Sequence, residues 1–192
     1  LDAMLAERIG SLGESARVVA ELVAVAGEPM TRSQLAFVSA VPAAELSRQL
    51  SLLRAYRVVR MSGTRAEDMI ESYHARVRSA VLGQLDVERR IRHHRALATA
   101  LSGKGTPQQL ARHWFGAGDL EHAAGYARRA GDEARAKLDF DLSARWYAIA
   151  LDGPQWTQVE RRALRTQFAD ALADAGRPRE AADQFLIAAA GA

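Results

Sequence analysis

Apolar residues recur every three or four positions along most of this chain, the spacing of helices that bury one face. Amphipathic stretches run from Leu1 to Ile9 and from Ser15 to Ala26, with Ser15 the expected N-cap of the second and Gly27-Glu28-Pro29 its end. Thr31-Arg32-Ser33-Gln34 has the form of a capping box and predicts a short helix through Val38. Val41-Pro42 closes it, and a further helix through Ala55 carries Leu46, Leu50 and Leu53 as its buried stripe. The period then changes. A β-branched run, Val58-Val59-Arg60-Met61, a Ser62-Gly63-Thr64 turn and a second extended stretch over Met69 to Tyr73 predict a hairpin. Helical spacing returns over about 86–102 and continues in helices of about 119–137, 141–152, 156–175 and 178–190.

The last four of these are patterned in a way ordinary helices are not. After the turn at Ala117-Gly118-Asp119, alanines 123, 124, 127 and 130 line one side. After Asp139-Phe140-Asp141, Ser143, Ala144, Tyr147 and Ala150 do the same. Small residues at this spacing let antiparallel helices approach closely, with Tyr147 filling the groove between them, and Gly131 is a further small residue one turn ahead of the second helix. Gly176-Arg177-Pro178-Arg179 opens a helix bearing Ala181, Phe185 and Ala188, so the pattern repeats at a step of 38 residues from Ser143 to Ala181. That is close to the roughly 34 residues of a tetratricopeptide repeat, with Asp152-Gly153-Pro154 as a short insertion. This region therefore resembles a tetratricopeptide array, and the helix, short helix, helix, hairpin order before it is that of a winged-helix domain. The expected fold is mainly α: a winged-helix domain with a small β-hairpin over 1–83, a connecting helix and linker over 84–106, and an α-solenoid of tetratricopeptide-like hairpins over 107–192.

The join carries a more specific resemblance. His74, Val77, Arg78, Ala80 and Val81, then Arg90, His94, Leu97 and Leu101, then His113 through Asp119, resemble the segment that follows the nucleotide-binding module in the STAND class of signalling ATPases. The chain departs from that pattern at Ala75, where an acidic residue is usual, and at Leu82, where an aromatic is usual. The resemblance implies a bacterial parent, fused to a serine/threonine kinase or acting as a transcriptional activator. In such a parent the winged helix packs on an upstream nucleotide-binding domain of the same chain and the repeats bind a protein or peptide.

Composition narrows the chemistry. The chain has no cysteine, hence neither disulfides nor thiolate metal ligands, and no apolar run approaches the ~18 residues of a membrane span. A cytoplasmic protein without membrane association is expected. The opening at Leu1 and the apolar FLIAAAGA at the end suggest a piece of a larger protein. Lys104 and Lys137 are the only lysines, so the net charge of +3 is carried by arginine.

No catalytic constellation emerges. Gly103-Lys104-Gly105-Thr106 lacks the upstream glycine of a phosphate loop and is expected to be a flexible linker, so no cofactor is expected in this segment. Histidines 74, 93, 94, 113 and 122 have no metal-ligand spacing and read as solvated or packing residues. Gly13 to Arg17 lacks the last glycine of a nucleophile elbow, and Glu67-Asp68 reads as a solvated turn. The run Glu88 to Arg95 is expected to be the exposed flank of a helix held by Val87, Ile91 and Leu97.

What remains is binding. On the first helix of each repeat, Arg128, Asp132 and Arg135 and then Thr166, Asp170 and Asp174 are the candidate partner-binding residues, a row that turns acidic and suits a basic segment. The alternative is a nucleic-acid-binding winged-helix module using Arg48, Gln49, Arg54, Arg57 and Arg60.

Overall fold

The computed structural model describes residues 9–63, 65 and 67–190; all but the last residue of the expected helix from Leu1 to Ile9, and the Thr64 position of the hairpin turn, lie outside them. The protein is mainly helical with one small antiparallel sheet, and it divides into two compact units, 1–100 and 101–192. No helix among the described residues is long and apolar enough to cross a membrane.

The first unit is organised around α1 (Glu14–Ala26), whose Ala16, Val19, Ala20, Leu22, Val23, Ala24 and Val25 are all buried. The helix is sealed on nearly every face because α2 (Arg32–Ser39), α3 (Ala43–Ala55), α4 (Ala75–Gln84) and the central strand all pack on it. Its N-cap is Gly13, in extended conformation and without a side-chain bond, which corrects the expectation for Ser15. Glycine caps only a few tenths of a kcal/mol less well than serine, so the chain enters the helix two residues early at little cost. At the other end Gly27 has φ 70°, and a Cβ there would lie 2.8 Å from Arg78 Nη2. Both facts favour glycine. Arg78 is held there by donating from Nε to the Ala24 carbonyl at 2.8 Å, which ties α4 to the end of α1.

Thr31 and Gln34 form the expected capping box at the start of α2: Gln34 N donates to the Thr31 hydroxyl at 3.1 Å, and Thr31 N donates to Gln34 Oε1 at 2.7 Å. In α3, Leu46, Leu50 and Leu53 are buried as their spacing predicts. The hairpin forms from β2 (Val59–Met61) and β3 (Met69–Ser72), paired Val59 to Ser72 and Met61 to Ile70. A strand the sequence pattern does not show, β1 (Met30–Thr31), adds to the other side of β3, giving the order β1-β3-β2 with Ile70 fully buried in the middle. Two residues are too few for a period-two signal.

The last helix of this unit, α5 (Val87–Leu101), corrects the expected packing. Val87 is 72% exposed and Ile91 36%, so neither holds the helix. Leu97 and Ala98 are buried at one end. At the other, the contact is polar: Arg89 and His93 both reach Glu21 on α1, and Arg89 also meets Glu14.

The second unit opens with a turn where the linker is expected: Lys104 N and Gly105 N both donate to the Leu101 carbonyl, at 3.0 and 2.7 Å. A capping box of Thr106 and Gln109 then starts α6 (Pro107–Gly116), with proline in the first turn. Four helices follow, α7 (Leu120–Ala136), α8 (Phe140–Leu151), α9 (Gln158–Asp174) and α10 (Pro178–Ala190), each packed on the next. The starts of α9 and α10 fall 38 residues after those of α7 and α8.

Three helices end the same way. After α6, α7 and α9 a left-handed residue, Gly118, Leu138 or Gly176, is followed by one whose N–H bonds back to a carbonyl five residues upstream. These bonds are Asp119 to Trp114, Asp139 to Ala134 and Arg177 to Leu172, at 3.0, 3.0 and 2.9 Å, the pattern of a Schellman motif. Asp119 and Asp139 then cap the following helices, accepting from His122 N and Leu142 N at 3.1 Å each. Of these three left-handed residues only Leu138 carries a side chain, with φ 61° and 73% exposure. Replacing Leu138 by glycine should therefore raise stability by about 1 kcal/mol, relieving strain while giving up little burial, a gain visible as a higher urea midpoint with unchanged slope.

Candidate functional site

The six residues expected to bind a partner lie on α7 and α9, and the structure engages most of them internally. Arg135 reaches from α7 to Asp170 and Asp174 of α9, at 3.8 and 3.7 Å. These distances exceed the roughly 2.7–2.9 Å of a tight charge-assisted bond. All three side chains are 38–44% exposed, so the pairs are weakly held and open to exchange. Asp132 accepts the Tyr147 hydroxyl at 2.7 Å. Arg128 lies over the Trp156 ring, 5.8 Å from its centroid. Thr166 donates to the Arg162 carbonyl of its own helix at 3.1 Å. Arg128 and Arg135 thus frame one side of a polar row, with Asp132, Asp170 and Asp174 as its acids.

Two supports of this row are not evident in the sequence. Trp156 donates from Nε1 to the Ala150 carbonyl at 2.7 Å, and Arg161 donates to the carbonyls of Leu151 and Gly153 at 2.6 and 2.8 Å. Together they fasten the loop between α8 and α9 to the end of α8. The visible signal was Trp156 immediately before the Thr157 capping box.

Tyr147 itself is 1% exposed, and burial first, then its hydrogen bond to Asp132, pushes its phenol up to about 12. A phenol whose folded value is raised keeps its full stabilising contribution below pH ~10 and loses it as pH rises towards ~12. Two pH units correspond to about 2–3 kcal/mol. With two lysines, four tyrosines and no cysteine, few other groups change charge in that window. The melting temperature should fall between pH 10 and 12, and Tyr147→Phe should flatten the fall while costing little at pH 7, since Asp132 is exposed and water replaces the lost donor.

The nucleic-acid residues present a different picture. Glu45 lies among them on α3, and hydrogen bonds from Gln49 first and Arg48 second hold its carboxyl below the usual range. Gln49 and Arg48 are thereby occupied by an anion that a phosphate would have to displace. Arg60 pairs with Glu71 across the hairpin at 2.8 Å. Arg54 and Arg57 are exposed and unpaired among the described residues. The five do not form a continuous cationic face.

The histidines are brought to no common centre. His93 meets Glu21 at 2.8 Å, His122 meets Asp119 at 2.9 Å and stacks on Trp114, and His113 is buried. Among the described residues no group of three or more acidic or histidine side chains is placed to hold a metal ion. Asp68 turns its carboxylate onto the Arg65 amide within the hairpin turn. No family model, curated protein or solved structure matches this chain.

Proposed function

We propose that the chain is a non-catalytic regulatory and protein-interaction segment of a STAND-type signalling ATPase, a winged-helix unit followed by tetratricopeptide-like hairpins. The α1-β1-α2-α3-β2-β3 order and the β1-β3-β2 sheet support the first half of this reading. The 38-residue step and the recurrent helix-ending turn support the second. In the resembling motif, Val77 and Val81 are buried and Arg78 is bonded to α1, so those positions work as fasteners of the winged-helix unit.

The observation that carries the proposal is the reach of Arg135 across to Asp170 and Asp174, which makes the first helices of successive repeats share one polar row. A protein or peptide with a basic segment docks there by exchanging its cations for Arg135. The test is to capture a partner with the whole chain and compare Asp170→Lys/Asp174→Lys with the parent sequence. Charge reversal at two contacts should weaken binding at least about tenfold, while circular dichroism reports an intact fold. Unchanged binding by the folded double variant removes this row as the docking site.

A further inference from the structure

Gly125 sits in the first half of α7 and has no structural reason to be glycine. Its backbone is helical, and a Cβ built there meets nothing within 4 Å. Gly131, by contrast, is forced by Tyr147. A glycine inside a helix sacrifices about 1 kcal/mol relative to alanine, so position 125 gives up stability for a surface without a side chain.

That bare patch is the floor of a hollow of about 360 Å³, walled by Glu121, His122, Tyr126, Arg129 and Gln155. Its lining is aromatic in the middle, with a cation, Arg129, at one end and an acid, Glu121, at the other. The His122 ring is stacked on Trp114 at 4.8 Å between centroids and held by Asp119, so it cannot readily swing into the space. Arg129 lies 5.7 Å from the Tyr126 ring centroid and, unlike Arg135, has no carboxylate partner among the described residues. Glu121, at the opposite end, is in the first turn of α7, where its charge complements the helix dipole.

We infer that this hollow is a second docking site, which takes an aromatic side chain adjacent to a carboxylate on an extended segment of a partner protein. The aromatic ring lies over Gly125 between His122 and Tyr126, where ring faces give offset or tilted stacking, and the carboxylate pairs with Arg129. The site is separate from the Arg128 to Asp174 row and prefers the opposite charge, so it stands if that row fails.

The probe is N-acetyl-tryptophan, which carries the ring and the carboxylate, compared with N-acetyl-tryptophanamide, which lacks the charge. In amide NMR titrations of the whole chain, the acid should bind in the millimolar range and shift Gly125, Tyr126 and Arg129 most. Gly125→Leu fills the hollow with a good helix former and should weaken binding at least about tenfold without lowering the melting temperature. Arg129→Gln should remove an acid-over-amide preference of about threefold while leaving the amide's affinity unchanged. Shifts centred elsewhere, no saturable shift, or binding by a folded Gly125→Leu variant equal to that of the parent overturns the proposal.

Discussion

Gly131→Ala should lower the melting temperature of the second unit by on the order of 10 °C, although alanine is the better helix former. A Cβ at this position would lie 2.7 Å from both Cδ1 and Cε1 of Tyr147, a ring that is 1% exposed and anchored to Asp132 through its hydroxyl. Real Cβ atoms do not approach so closely, so the ring must leave its slot. The protein contains its own version of this substitution. One 38-residue step later, Gly131 becomes Ala169, fully buried, and Tyr147 becomes Phe185, which is 40% exposed. Expelling the Tyr147 ring forfeits most of an aromatic burial and its hydrogen bond, about 3–4 kcal/mol, against the ~1 kcal/mol that alanine contributes to the helix. The net loss of about 2–3 kcal/mol sets the size of the shift. In the Tyr147→Ala background the slot is empty, and Gly131→Ala should there be neutral or stabilising. An unchanged melting temperature for Gly131→Ala alone would show that the ring relocates without cost.

The same pair of positions explains what the sequence could and could not disclose. Helix positions in the second unit follow from spacing, because turn residues and small residues recur at a fixed step and local chemistry ends each helix. Ala124, Ala144, Tyr147, Ala150 and Ala181 are interior as their pattern predicts. Phe185 is not. It is 40% exposed on α10, the last helix among the described residues, and whether a neighbour covers a helix face is a tertiary fact that a single-helix pattern does not contain. The strand Met30–Thr31 was hidden because its pairing with β3 is tertiary and its length is two residues. The polar row was half legible: the residues are on the expected helices, but the internal pairing of Arg135 with both aspartates depends on how α7 and α9 are each placed on α8.

Apolar periodicity located only Leu97 of the residues that hold α5, and the polar anchor it missed makes the second large prediction. Glu21 has a side chain only 8% exposed and accepts three bonds on Oε2: from Arg89 Nη2 and Nε at 2.9 and 3.2 Å and from His93 Nε2 at 2.8 Å. In the sequence Glu21 interrupts the apolar run of α1, and Arg89 and His93 are a helical turn apart, which is the one signal that all three share a face. The pair is buried enough that either partner alone is a liability. Arg89→Leu should destabilise the first unit by about 3 kcal/mol, because it leaves a buried carboxylate facing only His93. Glu21→Leu should cost somewhat less, since Arg89 is 23% exposed and keeps Glu14 at 2.9 Å. The double variant Glu21→Leu/Arg89→Leu removes both charges and should recover at least half of the summed loss, a coupling of about 2–3 kcal/mol. Urea unfolding followed by far-ultraviolet circular dichroism measures it, while Trp114, Trp146 and Trp156, all in the second unit, report that unit separately by fluorescence. Single losses that simply add in the double variant would mean that α5 is held by Leu97 and Ala98 alone, and that the polar anchor contributes no net stability.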